Sequence, residues 1–140
     1  MNTIKFALAT LAVSATLLAA LPASADPNGV GGKVYPLKSV GGSDEYGTVA
    51  LKPLGQQTAV EVHVVNVPRG EVQTVHIHYG TCAKVIPPVI YPLSPLVDGT
   101  SESIVDVPLE KILASPSVVH VHSSYKNEHR SLACGYLGPK

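Results

Sequence analysis

Two His-x-His pairs carry the chemistry of this chain, His76-Ile77-His78 and His120-Val121-His122. Each sits among β-formers, in Val75–Tyr79 and Val118–His122. Successive strand side chains point to opposite faces, so positions i and i+2 share one. His76 and His78 are therefore expected on the face opposite Val75, Ile77 and Tyr79, and His120 and His122 opposite Val119 and Val121. If the valine side packs into a core, four imidazoles project from the outside of a sheet. Neutral imidazole is the commonest protein metal ligand and suits copper and zinc.

The elements that must position these residues begin after the N-terminus, which reads as a transport signal. Lys5 supplies a positive start, Phe6–Leu21 an apolar stretch, and Ala23-Ser24-Ala25 an A-x-A cleavage site before Asp26. A retained anchor is the alternative, but a membrane-spanning helix needs ~20 apolar residues and Pro22 interrupts the run. Cleavage after Ala25 leaves 115 of the 140 residues, enough for one domain, expected in a secreted or periplasmic setting without membrane insertion. The mature chain has no Phe, Met or Trp, so its core must come from Val, Leu, Ile, Ala and some of the six Tyr. β-Branched residues of that kind pack well on a pleated surface. Removing Lys5 leaves nine basic residues against ten acidic, a net charge of −1 with His neutral. That balance lacks the basic footprint of a nucleic-acid binder. Cys82 and Cys134, in an oxidising compartment, are expected to form one disulfide; thiolate ligation of a metal is the alternative.

Along the chain, residues 26–33 form a Gly-rich, flexible leader. A strand over Val34–Val40, with Pro36 suggesting an edge, turns through Gly41–Glu45 into Gly47–Lys52. Thr58–Val67 has the clearest alternation, with Val60, Val62 and Val64 on one face and Glu61 and His63 on the other. The proline-rich stretch 82–100 reads as a long loop. Ile104–Val107 makes a short strand, Leu109–Ala114 a turn or two of helix before Pro116, and Leu132–Tyr136 a last strand. About seven short strands with frequent turns predict an all-β antiparallel sandwich or flattened barrel. His63 is expected to be an exposed sheet residue, His129 a solvated loop residue, and Tyr79 a core residue; Glu61 is a candidate acceptor for an imidazole N–H.

Asn66-Val67-Pro68-Arg69-Gly70, His76-Ile77-His78-Tyr79-Gly80-Thr81-Cys82 and Leu132-Ala133-Cys134-Gly135-Tyr136-Leu137-Gly138 together resemble the Cu/Zn superoxide dismutase superfamily. The likeness runs over roughly residues 34–138. Within that superfamily the chain is most similar to small secreted bacterial proteins related to CHRD domains. The resemblance implies a Greek-key β domain over 34–140, a Cys82–Cys134 bridge, and copper on the outer face. It implies His76, His78 and a late-strand His as copper ligands. His122 fits the spacing to Cys134 in the CHRD-related proteins, whereas His120 fits a Val-Val-His reading like that of the dismutases. Both share a face, so either could ligate; His122 is the expected third ligand, with His120 kept as the candidate fourth. Zinc is possible at the same site. If the copper is redox-active, His76, His78 and His122 are also the catalytic residues and superoxide the substrate; a non-catalytic metal buffer and a metal-free structural module are the other readings. Residues 82–100 contain no His and only Asp98 as an acidic residue, so the family's zinc subsite is absent. Ser131 stands where the family's dismutases carry an anion-guiding Arg, with Arg130 one place off.

Overall fold

The computed structural model describes residues 32–124 and 130–138. The segments read from the sequence as a transport signal and, in most of its length, as a leader, together with His129, lie outside the described residues. Nine antiparallel strands follow in order: β1 Lys33–Ser39, β2 Tyr46–Leu54, β3 Gln57–Val65, β4 Val72–Thr81, β5 Lys84–Pro92, β6 Leu96–Val97, β7 Thr100–Val105, β8 Ser117–His122 and β9 Ser131–Leu137. A short helix, α1 Leu109–Leu113, joins β7 to β8. Eight strands close into a barrel in the order β4-β6-β7-β3-β2-β1-β9-β8, with β8 returning to β4, and β5 adds a ninth strand to β4. β1 to β3 form a meander. β3 then crosses over β7 and β6 to reach β4, and β7 crosses to β8, which are the Greek-key connections.

Alternation explains why the sheet closes around this core. Val60, Val62 and Val64 of β3 point inward and are buried, while Glu61 and His63 are exposed. Val75 and Ile77 of β4 meet Val119 and Val121 of β8 and Ala133 of β9 in the same cluster. Leu109 and Ile112 of α1, one turn apart on a helix, add their side chains to it.

The fold corrects the sequence in four places. Among the described residues the strand count is nine rather than about seven, because residues 84–92 and 96–97 of the expected loop form strands. β5 has one neighbour, β4, and an edge strand tolerates residues without an N–H. Pro87 and Pro88 fall where the register shifts between Ile77 and Tyr79, so no ladder bond is lost to them. Next, β1 is not an edge: it pairs with β2 along its length and with β9 through Lys38 and Ser39. Pro36 sits just outside that second, short ladder. Finally, β1 begins at Lys33, inside the expected leader, and Tyr79, near the end of β4, is 39% exposed rather than core.

Candidate metal centre

Register brings the four histidines together. β4 and β8 are adjacent and antiparallel, with His76 opposite His120, Thr74 opposite His122 and His78 opposite Val118. Across the next ladder His120 lies opposite Cys134, and Cys134 lies opposite Lys38 of β1. Residues directly opposite share a face, so His76, His120, Cys134 and Lys38 form one row across four strands. The inner row beside it is Val75, Val121 and Ala133, all core. The valines thus hold the histidines on the outer face of the barrel wall.

That outer face is not open. His120 is 3% exposed, His78 8%, and Val118 beside them is fully buried, while His76 and His122 are half-buried. The disulfide Cys82–Cys134 contributes to this cover by tying the end of β4 back to β9. Ring centroids lie 5.7 Å apart for His76–His78 and His76–His122, 5.9 Å for His78–His120 and 5.2 Å for His120–His122. One ring nitrogen each from His76, His78 and His122 lies within 4.8 Å of the others. A metal–nitrogen bond is about 2.0 Å, so modest side-chain rotations bring three such atoms onto one ion.

Both nitrogens of His78 are buried and accept or donate no hydrogen bond among the described residues. A buried polar group left this way is costly, and a bound cation is a partner that removes the cost. Neither ring nitrogen of His120 makes a well-formed hydrogen bond, although the Cys82 backbone lies near enough to favour its charged form slightly. Burial, reinforced by His78, pulls the His120 imidazole down to about 4. Burial and the neighbouring His76 lower His78 in the same direction. Near neutral pH both rings are therefore uncharged, the form that ligates a metal. Taken together, the described residues hold a His/Cys group able to bind a metal ion.

His120 is the fourth ring of the cluster, but its nitrogen also lies within 4.8 Å of the sulfurs of Cys82 and Cys134. His63 stays apart, exposed on β3, with β7 and β6 between its strand and β4. The Glu61 carboxylate, exposed on the same strand as His63, pairs with Lys52 Nζ at 2.7 Å. Ser131 lies opposite His122 in the β8–β9 ladder, and Arg130 precedes it, exposed. Sequence reasoning missed the buried Glu45, whose carboxylate accepts a hydrogen bond from Gln73 Nε2 at 2.9 Å. Its neighbours Gly42-Ser43-Asp44 read as a turn, and nothing in the local pattern announces burial. No family model, curated protein or solved structure matches this chain.

Proposed function

We propose that this is an extracytoplasmic copper-binding protein of the Cu/Zn superoxide dismutase superfamily, with His76, His78 and His122 as ligands and His120 beside them. The observation that carries the reading is the convergence of three ring nitrogens from two adjacent strands, one of them on the buried and unpartnered His78. A donor set of imidazoles without thiolate suits copper and zinc, and the affinity order favours copper at a nitrogen site. Copper, when bound, supplies one-electron redox chemistry that zinc lacks. The chain's part is to hold three imidazoles in place through the valine packing behind them, and to limit water through the cover over His78 and His120. The transport signal and the Cys82–Cys134 bridge support a secreted or periplasmic location.

A non-catalytic role as a metal buffer is the second reading. It is favoured by the lack of any His in residues 82–100 and by Ser131 in place of the family's anion-guiding Arg. Calorimetric titration of the purified protein with copper and with zinc tests the site. One copper per chain is expected, bound more tightly than zinc, with binding lost in His76→Ala/His78→Ala. Copper affinity no higher than that of free histidine, or unchanged in the double variant, refutes the reading. A superoxide-consumption assay on the copper-loaded protein then separates dismutase from buffer.

A further inference from the structure

The second cluster, Cys82, His120 and Cys134, is distinct from the three-histidine group. A nitrogen of His120 and both Sγ atoms lie within 4.8 Å of one another. His120 is almost fully buried, with no well-formed hydrogen bond at either nitrogen among the described residues. In the oxidised protein the sulfurs are joined and offer a cation no thiolate. An apolar cavity of about 330 Å³ opens beside the bond, lined by Tyr35, Lys38, Val40 and both cysteines. A small reductant therefore has a way in. Lys38, opposite Cys134 in the β1–β9 ladder, places a cation where it favours a thiolate.

We propose that this cluster is a second, redox-gated metal site, closed as the disulfide and opened by a small thiol to hold Cu(I) through Cys82 Sγ, Cys134 Sγ and the His120 imidazole. Two equivalents of thiol are consumed. The first, as its thiolate, attacks Sγ of Cys82, the more exposed of the pair; the S–S bond breaks and Cys134 leaves as a thiolate. The second attacks the mixed disulfide, releasing the Cys82 thiolate and the reductant's own disulfide. Two electrons pass from the thiols to the cystine, and the two thiol protons stay with the cysteines until a metal displaces them. Thiolates select soft ions such as Cu(I) and zinc, and structural zinc takes four ligands. Two sulfurs and one nitrogen, with no fourth donor in this cluster among the described residues, favour Cu(I).

The site does not depend on the three-histidine reading, and its test is made with that group removed. His76→Ala/His78→Ala/His122→Ala is reduced with dithiothreitol, freed of the reductant without air, and titrated with Cu(I) against a coloured bidentate chelator. One Cu(I) per reduced chain is expected, with an ultraviolet thiolate-to-copper band, and none while the disulfide is intact. Adding His120→Ala should weaken binding by at least the roughly 10–100-fold that loss of an outer-sphere partner costs a metal site. Equal uptake by the oxidised and reduced forms overturns the proposal. So does binding indifferent to His120→Ala, which is what two cysteines on an unfolded chain would produce. Failure of the oxidised wild type to bind copper would count against the three-histidine reading and leave this result standing.

Discussion

Glu45 and the buried imidazoles respond to pH with opposite signs, and both responses are written in single side chains. Burial of Glu45 pushes its carboxyl up, with nearby Glu71 and Asp44 adding to the effect, while the hydrogen bond from Gln73 and the charge of Arg130 pull the other way. A carboxyl raised on folding gives stability that is full below its unfolded value of 4.5 and is lost as pH rises through the folded value. Glu45→Gln should therefore raise the urea midpoint at pH 8 more than at pH 4; an equal change at both would contradict the assignment. His78 and His120 are lowered on folding, so their contribution is full above the unfolded value of 6.5 and is lost as pH falls, for His120 through about 4. In the Glu45→Gln background the metal-free protein should lose stability between pH 6.5 and 4. Exchanging both histidines for Phe should flatten that slope, and a slope unchanged in that variant would place the cause elsewhere.

At the scale of elements, the barrel is closed by a short seam. β1 and β9 share only the pairs Lys38–Cys134 and Ser39–Ala133, and the seam continues past Gly135 without a ladder. A Cβ on Gly135 would stand 2.4 Å from the Pro36 carbonyl oxygen and 2.7 Å from Leu37 Cδ2. Gly135→Ala should cost about 1–3 kcal/mol by overpacking, read as a fall in melting temperature; an unchanged melting temperature would mean that β1 is free to move away. Legibility in the sequence follows the same logic of pattern against context. The alternation of Val60, Val62 and Val64 with Glu61 and His63 identifies β3 outright, because each face has one solvent. β5 carries no such pattern, since its prolines dominate the local reading while its edge position permits them. Asp98-Gly99 is a strong hairpin signal hidden in the same stretch: with φ of 48° and 79° these residues turn β6 into β7 in two steps. Tyr79 keeps the alternation of β4 in the β4–β8 ladder, opposite Ser117, yet near the strand end it is 39% exposed, and alternation alone does not show where a strand leaves the core.

For the whole molecule, the two His-x-His pairs are legible as paired ligands on their own strands, but their meeting is not. It rests on β4 and β8, distant in the chain, closing the barrel in the register that sets His76 against His120, 44 positions later. The placement of the disulfide against His120 follows from the same closure, through the His120–Cys134 pair. That bridge encloses a loop of about 53 residues, worth on the order of 4 kcal/mol in the chain-entropy account. Cys134→Ser should lower stability by a few kcal/mol under oxidising conditions, and an unaltered melt would deny the bridge that part. The central claim, that three imidazoles from β4 and β8 hold one copper, is tested most directly by electron paramagnetic resonance of the Cu(II)-loaded, disulfide-intact protein. The account predicts nitrogen couplings from His76, His78 and His122, with the pattern losing one nitrogen in His122→Ala. A spectrum without nitrogen couplings, or one identical in the wild type and His122→Ala, would contradict it.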